Sequence, residues 1–457
     1  MQTCSSKARL VGALRLQSLS RYRNQFLGLA EALLYGEQSL AAHEQLIVAA
    51  FPGAVPLDRV TALAGRAFAW TTVRPQPRIR VLAGKLRSDS AMRALLHKHT
   101  LAPRLIPVPP VMRTWPGQEA LPRIETLGEL AGWLRVDVGY LGWMADQADR
   151  NRRQNASALQ HYSVYLLAKP GRAVRLVEAP KQHLKHIQRQ ILREILDLIP
   201  QHQAVHGFRK GRSIVSFAEP HAGKPCVLRL DLKEFFPSIS GPRVQAMFRT
   251  LGYPEHVSDM LGALCTTTTP TAVWGTAGES DCGEVQRLKV LYKRPHLPQG
   301  APTSPVIANV CALRLDRRLA GLAEAAGAVY TRYADDLAFS GGEAFARSAE
   351  RFSERVAAIV LEEGFHVQHR KTRLMRASVR QHVAGLTLNV KPNLPRRELE
   401  RLEAILTNCV RHGPLSQNRE DHPDFRAHLE GKVAFVAMVR PERALRLRAF
   451  LRQIQWS

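Results

Sequence analysis

Residues 329–340 read Val-Tyr-Thr-Arg-Tyr-Ala-Asp-Asp-Leu-Ala-Phe-Ser. Two short apolar runs, VYTRY and LAFS, flank a tight turn at 334–336, which is the pattern of a β-hairpin with acids at its tip. Adjacent carboxylates repel each other and resist burial unless something partners them. Upstream, VLRLDL (227–232) reads as a further strand, with Asp231 near its end. Acids at the ends of apolar strands suit a hard divalent cation. Mg²⁺ prefers carboxylate oxygens and keeps water and phosphate as its other ligands. Two such ions about 4 Å apart can clamp the attacking and leaving oxygens of a phosphoryl transfer. Taken alone, Asp335-Asp336 reads equally as a solvated turn, because Asp favours turns. Asp231 alone is more ambiguous still.

Composition narrows the partners. The chain has 457 residues, enough for about two to four domains. It carries 65 Lys and Arg against 39 Asp and Glu, a net charge of +26 and a pI near 10.5. That excess excludes an ordinary metabolic enzyme and implies a polyanionic partner, most simply nucleic acid. A hydrophobic fraction of 45% excludes wholesale disorder. Cys4, Cys226, Cys265, Cys282, Cys311 and Cys409 form no CxxC pair, which argues against a zinc finger or a disulfide scaffold and for reduced thiols. No apolar run approaches the roughly 18 residues of a membrane span. The basic start of the chain is interrupted by Arg15 and does not read as a secretory signal. The expected location is the cytoplasm, with no membrane partner.

Along the chain, 1–72 and 126–149 show helical spacing, and 73–122 is rich in proline and arginine. SVYLLAK and AVRLVEA read as a hairpin around Pro170-Gly171-Arg172. A helix is expected from Pro180, with Leu184, Ile187, Ile191, Ile195 and Leu198 on one face. Further helices are expected over 305–324, 344–363, 396–412 and 442–455. Between the two acidic sites lies HLPQGAPTSPVIAN (296–309), a Pro/Gly-rich loop leading into a helix. Gly300 permits close backbone approach, Gln299 can bond a ligand or the backbone, and the helix N-terminus favours phosphate. By itself this also fits an ordinary helix-entry loop.

Taken together and in this order, RLDLKEFFPSIS, LPQGAPTSP, YADD and FHVQHRKTRLM resemble the reverse transcriptases. AVHGFRKGRSI (204–214), the APK at 179–181 and VAGLTLN (383–389) resemble the bacterial retron group in particular. The resemblance covers about 125–457. Ala384 stands where that group typically has Thr, and the Asn-Ala-x-x-His element expected between the Asp231 strand and the QG loop is not evident in 240–295.

The resemblance implies an α+β right-hand polymerase fold. It divides the chain into a mainly helical N-terminal extension (1–124), fingers and palm (125–390) and a short basic helical thumb (391–457). It implies RNA-directed DNA polymerase activity, with Asp231, Asp335 and Asp336 as catalytic residues holding two Mg²⁺ ions, or Mn²⁺ in their place. Lys169, Arg175, Phe236, Gln299 and Lys371 would contact the incoming dNTP, Phe236 as the gate against a ribose 2′-OH. Arg209, Lys210, Arg212 and Gly385 would contact template or primer. On the residues alone, Lys169 and Arg175 also read as a solvated basic hairpin, Phe236 as a core aromatic, Lys371 as a loop lysine, and 209–212 as an exposed turn. The implied partners are a cognate structured non-coding RNA, its DNA product, dNTPs, and an effector protein or a second copy of the chain. The implied role is anti-phage defence. A group II intron-like enzyme would carry a longer tail after YADD. An RNA-binding structural component of a defence complex would have no need of the intact acids. Residues 1–124 show no nuclease, protease or nucleotide-hydrolase pattern.

Overall fold

The computed structural model describes residues 22–35, 39–72, 77, 79–102, 112–113, 120–146, 159–169, 172–276 and 282–456. Its strands are β1 (Tyr162–Lys169), β2 (Arg172–Pro180), β3 (Cys226–Asp231), β4 (Ala328–Tyr333), β5 (Asp336–Gly341), β6 (Arg373–Arg376), β7 (His382–Val383) and β8 (Leu386–Thr387). A four-stranded antiparallel sheet in the order β4-β5-β3-β6 stands where the palm is expected. The other two sheets are the β1-β2 and β7-β8 hairpins. β3 is buried throughout except at Arg229, and β5 throughout except at Asp336. Strands covered on both faces read as near-continuous apolar runs, which is why VLRLD and LAFS show no alternation. The long helix Glu343–Glu362 covers one face with Phe345, Ala349, Phe352, Val356 and Val360, which repeat at helical spacing.

The outer edge of β4 is not free. Arg332 N–H donates to Ala204 O at 2.7 Å, and His206 N–H donates to Arg332 O at 2.8 Å, so 204–206 lies parallel against it. The Arg332 side chain is fully buried. Its Nε and Nη2 donate to the two oxygens of Asp316, each at 2.7 Å, and Tyr330 Oη donates to the same carboxylate at 2.8 Å. Asp316 comes from the helix Leu313–Ala325 and is itself fully buried.

Apolar burial is distributed over several clusters. Phe26 to Leu101 contribute one, built from the helices Arg23–Tyr35, Leu40–Ala49, Leu57–Thr72, Ile79–Ser88 and Ser90–Lys98. Met112, Leu121 and Ile124 join the cluster of the palm. The helices Arg396–His412, Phe425–Val439 and Pro441–Gln453 pack with the β7-β8 hairpin, Phe217 and Met375 in a third. Among the described residues no helix is long and apolar enough to cross a membrane.

Some expected elements differ. Pro180 does not start a helix: it ends β2, paired with Tyr162, and the helix runs Gln182–Glu194 after Lys181 in extended backbone. Leu198 does not share the buried face. The helix has tightened into a 3₁₀ turn at Leu196–Leu198, which turns Leu198 out to 45% exposure. The span 305–324 is two helices, Ser304–Cys311 and Leu313–Ala325, with Ala312 as the break between them. The span 126–149 is likewise divided, because Arg135 is left-handed (φ +57°) and closes the helix Leu127–Leu134. Pro170 and Gly171 lie outside the described residues.

The Arg332–Asp316 pair makes a stability prediction. Removing one member leaves an uncompensated buried charge, at a cost of about 3–5 kcal/mol. Arg332→Met should lower the unfolding free energy by that amount in denaturant titration, seen as a lower midpoint at unchanged slope. The double variant Arg332→Met/Asp316→Leu should recover most of the loss. A double variant as unstable as the single one would contradict this account.

Candidate active site

Strand register brings the acids together. Asp231 on β3 pairs directly with Asp336 on β5, and Tyr333 on β4 pairs with Asp336 as well. Ala334 and Asp335 are therefore a two-residue loop between paired strands, with Ala334 left-handed at φ +55°. The Asp335 carbonyl accepts from Leu232 N–H at 2.8 Å, so the loop is tied to the end of β3.

Two of the three carboxylates have cationic partners. Lys371 Nζ donates to both oxygens of Asp231, at 2.8 and 2.9 Å. It comes from the short turn His369–Lys371, which follows a bond from Gln368 N–H to Asp231 O at 2.7 Å. Arg229 precedes Asp231 by two residues and so shares its face of the strand. Its Nε and Nη2 donate to one oxygen of Asp336, at 3.1 and 2.7 Å. Asp335 has no ion pair among the described residues. Burial, then the nearby Asp231 and Asp336 charges, push its carboxyl up to about 6. Burial also raises Asp336, with Arg229 opposing.

Among the described residues no group of three or more His, Cys, Asp or Glu side chains is arranged to hold a metal ion unaided. The donor set nevertheless suits a hard cation that takes further oxygens from water and phosphate. It is carboxylate only, self-repelling, and includes one acid with no counter-charge of its own.

The QG loop lies against the β1-β2 hairpin. Glu178 N–H donates to Gln299 O at 2.9 Å. Gly300 has φ +139°, and a Cβ there would lie 2.8 Å from Glu178 O, so only glycine fits. With its amide oxygen facing Arg175, Gln299 accepts from that guanidinium, and its NH₂ donates to Leu176 O at 3.3 Å. Two residues expected at the nucleotide thus touch each other. Beneath them Glu178 is buried. It accepts from Thr269 Oγ1 at 2.6 Å and bonds His296 Nε2 at 2.8 Å. Lys169 ends β1, and its side chain lies outside the described structure.

Phe235 is core, whereas Phe236 is half-buried. The Phe236 ring lies 5.6 Å from Phe235 and 6.0 Å from Phe208, and Phe208 lies 6.3 Å from Tyr333. Phe208 belongs to the HGFRKG loop, which leans on the acidic turn. A Cβ on Gly207 would come within 2.6 Å of Ala334 N. Asn309, from the helix after the QG loop, donates to Gly207 O at 3.0 Å and accepts from Arg332 Nη1 at 3.0 Å. Arg332 Nη1 also donates to Ala334 O at 3.1 Å.

Downstream in that loop, Lys210 and Arg212 are exposed, and Arg209 folds back to donate to His202 O at 3.0 Å. His206, whose ring bonds Ser216 Oγ at 2.9 Å, is pushed down to about 4 by burial and by Arg212 and Arg209. Ala384 and Gly385 (φ +43° and +82°) form the two-residue turn of the β7-β8 hairpin. Gly385 is exposed, with nothing within 4 Å of where a Cβ would be.

Sequence reasoning passed over Arg229, Phe208, Asn309 and the Arg332–Asp316 pair. Arg229 carried a usable signal, since a charged residue inside VLRLD must find a partner on its own face. The others depend on contacts between segments remote in sequence.

The raised Asp335 carboxyl sets a pH dependence. The folded chain holds a proton that the unfolded chain releases between about pH 4 and 6, so stability present below that window is lost as pH rises through it. In chelator at about pH 7.5, Asp335→Asn should be more stable than the parent by on the order of 1–3 kcal/mol, and the gap should close near pH 4. Equal midpoints at the higher pH would refute the assignment.

Residues 167–391 match the family described as reverse transcriptase (RNA-dependent DNA polymerase). The chain is 41% identical over 331 residues to the retron Mx65 reverse transcriptase of Myxococcus xanthus, covering 72% of this chain and 71% of that protein. It is 35% identical over 349 residues to the retron Mx162 reverse transcriptase of the same organism, covering 73% and 67%. It is 27% identical over 340 residues to the retron Ec86 reverse transcriptase of Escherichia coli, covering 73% and 91%.

Proposed function

The chain belongs to the retron reverse transcriptases and is an RNA-directed DNA polymerase, and on that premise we propose that it copies a cognate structured RNA into single-stranded DNA that stays covalently joined to it. Synthesis would start from an internal 2′-OH of that RNA, in the cytoplasm, in the service of anti-phage defence, with an effector protein or a second copy as a further partner. The observation that supports the chemistry is the Asp231–Asp336 register with Asp335 at the turn beside it.

Asp231, Asp335 and Asp336 would hold two Mg²⁺ ions, with Mn²⁺ as the alternative. When bound, the ions supply positive charge to the attacking hydroxyl oxygen and the departing pyrophosphate. The chain's own residues do the rest. Lys371 and Arg229 hold two of the carboxylates in place. Arg175 and Lys169 engage the triphosphate, Arg by its planar fork. Gln299, oriented by Arg175, would face the sugar and base. Phe236 rejects the ribose 2′-OH. Lys371 is near enough to the site to serve the leaving phosphate as well. Arg209, Lys210, Arg212 and the Gly385 turn hold template or primer backbone, where an exposed glycine turn allows close approach. We keep 1–124, 125–390 and 391–457 as extension, fingers-palm and thumb.

The test is to purify the protein from its host with flanking DNA intact, beside Asp335→Ala/Asp336→Ala, and sequence the nucleic acid it retains. A discrete DNA joined to RNA, present only with the intact acids, is expected. RNA alone from both proteins would overturn self-primed synthesis. Binding of that RNA should weaken steeply with added salt as counterions are released from the phosphates. A salt-independent affinity in filter binding would contradict a phosphate-led interface.

A further inference from the structure

We propose that Phe208 is a positioning residue for sugar selection: it backs the Phe236 ring, so that exclusion of ribonucleotides depends on both rings and not on Phe236 alone. The inference rests on the reading of Phe236 as the sugar gate.

The first observation is the backbone. Phe208 is left-handed, at φ +59°. Bulky residues rarely adopt this conformation, and such strain persists only where surrounding structure imposes it. Among the described non-glycine residues with positive φ, Phe208 is the one aromatic. Gly207 precedes it and Gly211 follows three residues later, so the loop contains residues that could take this conformation freely. The chain instead places a phenyl ring on the strained position.

The second observation is what holds it there. Gly207 meets the Ala334 backbone so closely that no side chain fits between them. Asn309 Nδ2 donates to Gly207 O at 3.0 Å, and His206 N–H donates to Arg332 O at 2.8 Å. On the other side Arg209 Nη1 is bonded to His202 O at 3.0 Å. The ring is therefore carried by a loop fastened to the catalytic turn and to the helix that follows the QG loop.

The third observation is where the ring lies. Phe236 has two ring neighbours, Phe208 at 6.0 Å and Phe235 at 5.6 Å, both tilted against it. Phe235 is buried and packed against Phe365 at 5.6 Å, so that wall does not move. Phe208 is 43% exposed, large and apolar, and its other neighbour is Tyr333 of the YADD segment at 6.3 Å. A steric gate works only if the blocking ring cannot swing aside. Phe208 is a second ring against Phe236, and its bulk opposes rotation of that ring away from Phe235.

The experiment measures kcat/KM for a dNTP and for the matching rNTP, on an added RNA template with a DNA primer. It compares the parent, Phe236→Ala, Phe208→Ala, Phe208→Leu and Phe208→Tyr. The parent should use the dNTP and discriminate against the rNTP. Phe236→Ala should lose discrimination. Phe208→Ala should lower the dNTP/rNTP ratio by about tenfold or more, through a gain in rNTP use with dNTP use little changed. Phe208→Leu, which keeps bulk but not a flat ring, should fall between, and Phe208→Tyr should keep the parent ratio. An unchanged ratio in Phe208→Ala, while Phe236→Ala relaxes it, would overturn the proposal. So would an equal fall for both nucleotides in Phe208→Ala and Phe208→Leu, which marks a merely structural residue. If Phe236→Ala itself left discrimination intact, the gate reading would be what failed.

Discussion

The Arg332 guanidinium is the charge around which the palm is assembled. Its side chain is the largest fully buried one among the described residues, and its hydrogen bonds reach Asp316, Asn309 and the Ala334 carbonyl. A buried cation is tolerable only when nearly every donor is satisfied. Satisfying this one draws in the helix after the QG loop, the helix after that, and the turn that presents Asp335. Asn309 extends the reach to the HGFRKG loop through Gly207 and to Gln201. Segments more than a hundred residues apart are thereby placed relative to one another by directional bonds, where apolar packing alone would leave them free to slide.

The fold was legible where local signals were strong. The apolar runs ending in acid at Asp231 and beginning in acid at Asp336 could hardly be anything but buried strands, and the β1-β2 hairpin announced itself by β-rich runs around a turn. The helices Gly241–Thr250, Glu255–Cys265, Cys282–Tyr292 and Phe425–Val439 were passed over. Gly241–Thr250 is short, opens on Gly-Pro and interleaves its buried Val244, Met247 and Phe248 with polar residues. Periodicity over so few turns is a weak signal. Breaks within helices were equally hard to see, since Ala312 and Arg135 are good helix formers and yet stand at helix ends here.

Of the site, the acids and the QG loop were readable as residue types, while their partners were not. That Arg229 serves Asp336 and Lys371 serves Asp231 follows from strand register and from a turn more than a hundred residues away. The expectation for Lys371 was contact with phosphate, and the structure places its amine on a carboxylate. Gln299 and Arg175 were each assigned to the nucleotide, and their contact with each other emerges only when the loop is laid on β2.

The buried Glu178 acts as a fulcrum. Thr269 and His296 grip its two oxygens, and the QG loop takes its amide, so the root of the β1-β2 hairpin is riveted to the palm. Beyond it β2 runs back to Arg172, a span of roughly 20 Å at the usual strand rise. Any opening or closing of the hairpin must pivot at that rivet and bend along that span. Arg175 then rides on a short lever arm, and Gln299, anchored on the fixed side, marks the point from which its travel is measured.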